Sequence, residues 1–170
     1  MYRFTAIAAP GLEPVVAREL SLMGMELEIQ PGAVEFRGEL ERARMASQLR
    51  CPARLLVEVD HGPARFYEEL ANRTRKVDWS PFIEAGTTVE VSVSSQRSKL
   101  RFKDAVEKKI RLAIQDSLRK TKKPRTRATA SKRSPQRVSA RLVDDVITLS
   151  MDTGGDLLHR RGWRTRSVRA

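Results

Sequence analysis

Residues 89–151 place a strand, a helix, a long cationic run and a pair of strands in one segment, and this order constrains the fold more than any other feature. Valines alternate with polar residues over 89–94, which predicts a half-buried strand. Apolar residues recur at helical spacing over 103–118, which predicts an amphipathic helix. A strand followed by a helix and further strands is typical of a mixed α+β domain.

The end of this segment predicts a hairpin. Apolar residues alternate with polar ones over 138–142 and again over 147–151, and Asp144-Asp145 lies between the two runs. Two adjacent carboxylates could also form a catalytic pair, but aspartates are common in tight turns, so the turn is the better interpretation.

Positive charge is concentrated in one part of the chain. Residues 1–96 contain 11 Lys and Arg against 14 Asp and Glu, residues 97–141 contain 17 against 3, and residues 142–170 contain 5 against 4. Because the whole excess lies in the middle block, we expect a one-sided positive field suited to a polyanion.

The cationic run itself predicts a phosphate-binding surface. Residues 120–136 contain two prolines and no apolar side chain larger than alanine, so we expect a mobile loop that a ligand would order. Phe102 is the only aromatic residue of the block and belongs either to the core or to a binding platform. Recognition should therefore rest on phosphates and shape. The candidate RNA-binding residues are Arg97, Lys99, Arg101, Lys103, Lys120, Lys122, Lys123, Arg125, Arg127, Lys132, Arg133 and Arg137.

The first third of the chain predicts the order strand, helix, strand, strand, helix, strand. This order is the ferredoxin-like arrangement. The final strand should stop at His61-Gly62-Pro63, and a further helix should follow over 66–76. The six predicted elements are a strand over 2–9, a helix over 12–23, strands over 26–29 and 34–37, a helix over 39–49 and a strand over 55–59.

Several classes of function have no support in the sequence. The single Cys51 cannot form an internal disulfide, and His61 and His159 are far apart with no cluster of metal ligands around them. The glycines are isolated, so no nucleotide-binding loop is predicted, and we expect no catalytic or metal site in this chain. No signal peptide or membrane span is predicted, so we expect a cytoplasmic protein that does not enter a membrane.

Short phrases spread over nearly the whole chain resemble the N-terminal half of the THUMP-containing RNA methyltransferases. Their order and spacing make the resemblance more specific than any one phrase. The phrases are Gly11-Leu12-Glu13, Val34-Glu35-Phe36-Arg37-Gly38, Val77-Asp78-Trp79, Lys103-Asp104-Ala105-Val106 and Leu158-His159-Arg160-Arg161-Gly162-Trp163-Arg164.

The resemblance implies an α+β fold in which a ferredoxin-like βαββαβ domain, residues 1–62, packs on an α/β THUMP domain, residues 63–153. Residues 154–170 would then be a linker toward a catalytic domain that is missing from this chain. Such a pair of domains binds structured RNA, either ribosomal or transfer RNA, for methylation by an S-adenosylmethionine-dependent enzyme, with guanine N2 as the implied position. The chain itself would need no cofactor. Two alternatives are the RNA-binding part of a tRNA-thiolating enzyme and a stand-alone RNA-binding protein.

Overall fold

The computed structural model describes residues 1–41, 49–83, 87–120 and 135–153, without the side chain of Lys120. Over these ranges the fold is mixed α and β, which confirms the predicted fold class. The chain divides into two compact units. The first contains Met1–Glu58 with Asp152 and Thr153, and the second contains Val59–Met151.

The first unit is ferredoxin-like. Strand β1 (Tyr2–Ile7) is followed by helix α1 (Glu13–Leu22), strands β2 (Leu27–Gln30) and β3 (Ala33–Gly38), and the first part of β4 (Arg54–Pro63). The strand order is β2-β3-β1-β4, and β3 lies antiparallel to β1 and β2 while β4 lies antiparallel to β1. This order confirms the ferredoxin-like prediction. The predicted helix over 39–49 lies for the most part outside the described residues.

The core of the first unit follows from the alternation of its strands. Phe4 pairs with Phe36 across β1 and β3, and their rings stack with centroids 5.1 Å apart. Val16 and Leu20 of α1 are also fully buried. Pro14 lies in the first turn of α1, where its missing N–H costs no helical hydrogen bond.

The second unit contains a strand-helix-strand crossover. It begins with the rest of β4 and continues with α2 (Tyr67–Lys76), β5 (Val89–Gln96), α3 (Lys103–Lys120), β6 (Gln136–Val143) and β7 (Val146–Asp152). The strand order here is β4-β7-β6-β5. Strands β5 and β6 are parallel and β6 and β7 are antiparallel, which confirms the predicted hairpin. Ile110 and Ile114 of α3 are fully buried in the core of this unit.

The prediction that the strand over 55–59 ends at His61-Gly62-Pro63 is wrong. Strand β4 continues to Pro63, and the Ala64 N–H donates to the Asp145 carbonyl oxygen at 2.7 Å. Arg73 further fixes this segment, since it donates to both carboxylate oxygens of Asp60, at 2.9 and 2.8 Å. His61, Gly62 and Pro63 favour a turn, and these hydrogen bonds hold their backbone in an extended conformation instead.

Trp79 is the largest fully buried side chain of the second unit. It is 1% exposed, and its Nε1–H donates to the Thr74 carbonyl oxygen at 2.8 Å. The backbone after it forms a turn in which the Ile83 N–H donates to the Trp79 carbonyl oxygen at 2.8 Å. None of the described helices is long and apolar enough to span a lipid bilayer.

Candidate nucleic-acid interface

The connection between β5 and α3, residues 97–102, forms the centre of the candidate site, and we call it the cationic connection. Its side chains alternate in exposure, because Ser98 and Leu100 are buried while the residues on either side of them are exposed. The alternation therefore presents three cations to solvent, namely Arg97, Lys99 and Arg101.

Hydrogen bonds hold this backbone in place. The Ser95 hydroxyl donates to the Leu100 carbonyl oxygen at 3.0 Å. Asp145, in the turn between β6 and β7, accepts from the Lys99 N–H at 2.7 Å and from the Ser98 hydroxyl at 3.1 Å, both on Oδ1. The Lys99 backbone donor is the main cause that lowers the pKa of the Asp145 carboxyl below its usual range. The connection is thus fixed by groups other than its exposed cations.

Arg97 is already engaged by a carboxylate. Its Nε and Nη2 donate to the two oxygens of Asp144 at 2.7 and 2.9 Å, in a bidentate pair. This hydrogen bonding lowers the pKa of Asp144, and both side chains are exposed. Arg97, Asp144 and Asp145 all have positive φ angles, of 47°, 51° and 62°. A ligand phosphate would have to compete with Asp144 for the Arg97 guanidinium.

Arg97 and Asp145, but not Asp144, line an open cleft of about 500 Å³ in the second unit. Its cations come from the cationic connection and its single carboxylate is that of Asp145. Because Asp145 is occupied by the backbone of the connection, the lining favours an anionic ligand. The lining residues are Ser95, Arg97, Ser98, Lys99, Arg101 and Asp145.

Helices α2 and α3 run in the same direction beside this cleft. Glu68 in the first turn of α2 pairs with Lys109, and Arg75 in the last turn of α2 pairs with Asp116, with 3.7 Å between Nε and Oδ2. The two pairs have the same separation along each helix, so the helices are parallel, and α3 begins more than one turn before the level at which α2 begins. Their N-terminal ends, which favour negative charge, therefore lie at the same end of the unit.

A phenylalanine precedes each of these helices. Phe66 is 65% exposed before α2 and Phe102 is 76% exposed before α3. The Lys99 Nζ lies 5.8 Å from the centroid of the Phe66 ring. The exposure of Phe102 excludes the core position that the sequence left open, because a core position would bury this side chain.

The structure brings together four of the predicted RNA-binding residues. Arg97, Lys99 and Arg101 line the cleft, and Lys103 is exposed in the first turn of α3 directly after them. The residues Lys122, Lys123, Arg125, Arg127, Lys132 and Arg133 lie outside the described residues.

The other two predicted contacts occupy a different end of the unit. Lys120 is the last residue of α3, about 26 Å along the helix from Lys103 at 1.5 Å per residue. Arg137 pairs with Glu90 at 3.1 Å near the start of β5, about 20 Å along the strand from the cleft. The cleft and the start of the cationic run are thus distinct parts of the same unit.

Sequence reasoning missed the structural role of Asp145 and the exposure of Phe66. The turn at Asp144-Asp145 was predicted. The parallel pairing of β5 with β6, which places this turn next to the β5–α3 connection, was not predicted. Phe66 could have been noticed, because it stands immediately before the apolar stripe of its helix and not within it. Within the described ranges, no cluster of three or more His, Cys, Asp and Glu side chains could hold a metal ion.

Together, the fold and the cleft define an α+β protein with a ferredoxin-like unit and a second unit that carries a cationic surface. Residues 3–56 match the family model of the RlmL ferredoxin-like domain. This match covers the first unit up to the buried part of β4.

The whole chain is similar to parts of longer proteins. It is 34% identical over 168 residues to the ribosomal RNA large subunit methyltransferase K/L of Methylococcus capsulatus (strain Bath), covering 96% of this chain and 22% of the relative. It is 28% identical over 164 residues to YpsC of Bacillus subtilis (strain 168), a candidate RNA methyltransferase, covering 96% of this chain and 43% of the relative.

A solved structure agrees with these relatives. The crystal structure of SMU.472, a candidate methyltransferase in complex with SAH, superposes with a TM-score of 0.80 at 28% identity. The match covers 97% of this chain and 45% of that one. The chain therefore spans less than half the length of each relative described here.

Proposed function

We propose that this chain is the RNA-recruiting part of an S-adenosylmethionine-dependent RNA methyltransferase. The observation that carries the proposal is the cationic connection, which presents Lys99 and Arg101 to solvent on a backbone fixed by Asp145. The relatives named as RNA methyltransferases support it, because they match this chain over nearly its whole length. In this proposal the second unit is a THUMP domain.

The proposed substrate is structured RNA, with ribosomal RNA favoured by the name of the K/L relative. Cations on a fixed backbone suit phosphates, which position a nucleic acid without identifying its sequence. The long cationic run would extend the contact beyond the cleft. We further propose guanine N2 as the methylated position and the cytoplasm as the place of reaction, as the resemblance implies.

S-adenosylmethionine does not fit the cleft described above. Its sulfonium carries a positive charge, which Arg97, Lys99 and Arg101 would repel. The β5–α3 connection also contains no glycine that would let a cofactor approach the backbone closely. We therefore assign the cofactor to a catalytic domain outside this chain, and we expect calorimetry of this chain with S-adenosylmethionine to show no saturable heat.

The test is a fluorescence anisotropy titration with a labelled ribosomal RNA hairpin and a labelled folded tRNA. Each complex is challenged with duplex DNA at equal phosphate concentration. We expect RNA to be preferred, with log affinity falling by roughly 0.7 to 0.9 per phosphate contact for each tenfold rise in salt. Equal competition by DNA would overturn the proposal, because the surface would then be a general polyanion site.

Charge reversal distinguishes the contribution of the cationic run to RNA binding from that of the cleft. Lys122→Glu with Lys123→Glu should weaken binding to all RNAs alike and leave the fold intact, since residues 120–136 contain no apolar side chain larger than alanine that could belong to a core. Unchanged binding in this variant would confine the interface to the cleft.

A further inference from the structure

We infer that Phe66 and Phe102 form a stacking platform for unpaired nucleotides of the bound RNA. This inference rests on the proposed RNA-binding function and makes its substrate more specific. It requires an RNA in which bases are accessible beside the phosphates, as in a loop, a bulge or a single-stranded end.

Neither phenylalanine is explained by the stability of the fold. Their side chains are 65% and 76% exposed, so each leaves most of an aromatic ring in water. Two large apolar side chains exposed on one unit beside charged residues are typical of an interaction site. Single apolar residues scattered over a surface need no functional explanation. These two rings, however, occur at equivalent positions in two helices.

The equivalent position is the residue directly before a helix. The Phe66 carbonyl oxygen accepts the Leu70 N–H at 3.0 Å, and that of Phe102 accepts the Val106 N–H at 3.1 Å. Residues with a side-chain oxygen are preferred here because they cap the first free N–H groups, and phenylalanine has none. Helix α2 indeed has no side-chain cap hydrogen bond at Phe66. Helix stability therefore does not explain phenylalanine at either position.

The rings lie close to the phosphate-binding cations. Phe66 lies 5.8 Å from the Lys99 Nζ, and Phe102 directly follows Arg101 in the chain. Because α2 and α3 are parallel, both rings occur toward the same end of the second unit, with Phe102 about 8 Å further along the helix axis than Phe66. Cations beside exposed aromatic rings are the combination by which proteins bind single-stranded nucleic acids, with phosphates on the cations and bases on the rings.

The bases of an A-form duplex are stacked on each other and offer no free face to a protein ring. A duplex would therefore contact Lys99 and Arg101 while leaving both phenylalanines in water. Unpaired nucleotides can place phosphates on the cations and bases on the phenylalanine rings at the same time. For this reason we favour them over a continuous duplex as the ligand. A protein partner with apolar residues would also cover the rings, but it would leave the neighbouring cations without phosphates.

The experiment compares a ribosomal RNA hairpin with the same hairpin carrying a single-stranded extension of about six nucleotides. The extension contains 2-aminopurine, whose emission falls when it stacks. We expect the wild-type chain to bind the extended RNA more tightly and to quench this emission. Phe66→Ala and Phe102→Ala should each lose about 5- to 150-fold in affinity for the extended RNA and little for the bare hairpin.

Two further sets of variants identify the cause. Phe66→Trp and Phe102→Trp should retain the affinity and the quenching, since an indole ring also stacks. Leu22→Ala, at an 83% exposed apolar position of the first unit, is the matched control and should change nothing. The phenylalanine variants should leave the salt dependence unchanged, because they remove no phosphate contact. Thermal unfolding of each variant checks that the fold is intact.

The inference is overturned if both hairpins bind equally, or if the alanine variants bind the extended RNA like wild type. In either case a preference for RNA over DNA would keep the proposed function intact, and the rings would then belong to a protein interface. If the wild-type chain showed no preference for RNA over DNA, the proposed function itself would be overturned.

Discussion

Two connections of this molecule each lead from a strand to a helix, and each is held by a carboxylate. The two carboxylates come from different places in the chain. In the first, residues 8–12 join β1 to α1, and the Glu13 carboxylate accepts hydrogen bonds from its own N–H and from the Gly32 N–H, the latter at 2.9 Å. These bonds lower the pKa of Glu13. In the second, residues 97–102 join β5 to α3, and the carboxylate comes from Asp145 of a neighbouring hairpin.

The source of the carboxylate decides what the connection itself can carry. Glu13 places an anion at the start of its own helix, so the first connection neutralises its own N-terminal end. Asp145 acts from outside and binds the backbone of the second connection, which leaves the side chains there for other uses. Those side chains are cations and a phenylalanine. Under the proposed function, the first connection is structural and the second binds RNA.

The largest effect should come from reversing the exposed cations of the second connection. Lys99→Glu with Arg101→Glu should lower RNA affinity about 100-fold and reduce the salt dependence by about one phosphate contact per residue, because two contacts become repulsive. The measurement is an anisotropy titration over a range of salt concentrations.

The matched control reverses two exposed arginines of the first unit, Arg18 and Arg37. Arg18→Glu with Arg37→Glu changes the net charge by the same amount. If this control weakened binding as strongly as the Lys99 and Arg101 variant, net charge alone would account for the affinity and the comparison would fail.

A smaller effect of opposite sign should follow from releasing Arg97. Asp144→Asn removes the carboxylate that holds the guanidinium, and asparagine tolerates the positive φ of this turn position. We expect RNA affinity to rise by about threefold or more and the salt dependence to gain about one contact. Unfolding should change little, because exposed ion pairs contribute little to stability.

Glu107→Gln provides the control for this variant, because it releases Arg111, which is not among the candidate RNA-binding residues, from another exposed pair. An equal gain in affinity from both variants would mean that Arg97 has no special place in the cleft.

The smallest effect on binding should come from the first connection. Gly11 has a φ of 85°, a left-handed conformation that costs an L-residue about 1 kcal/mol, and no atom lies within 4 Å of an added Cβ. Gly11→Ala should therefore lower the free energy of unfolding by about 1 kcal/mol, measured by urea denaturation, with unchanged RNA affinity. A change in affinity would show that the first connection also contacts RNA.

Much of this fold could be predicted from the sequence, because local periodicity specifies it. The valines of β5 and the stripe containing Ile110 predict their elements directly. The ferredoxin-like order of the first unit followed in the same way. The error at His61-Gly62-Pro63 arose because turn-forming residues are held in a strand by Arg73, a contact from outside the local sequence.

The candidate site could be predicted in its charge but not in its organisation. The cations of residues 97–141 were evident from composition, whereas the separation of Arg137 from Arg97 depends on the parallel pairing of β5 and β6. The exposure of Phe102 could not be decided from the sequence, because an aromatic residue before a helix is compatible with either environment. Only the packing of α3 distinguishes the two.

Strand β4 has a practical consequence for anyone who wishes to divide this protein. Its residues up to Glu58 belong to the first unit and those from Val59 belong to the second, so the boundary in sequence falls within a strand. Expression of either half would shorten a hydrogen-bonded strand and expose a fresh edge to self-association. Chimeras that exchange recognition surfaces between related proteins should therefore keep β4 whole and place their junctions in the turns on either side of it.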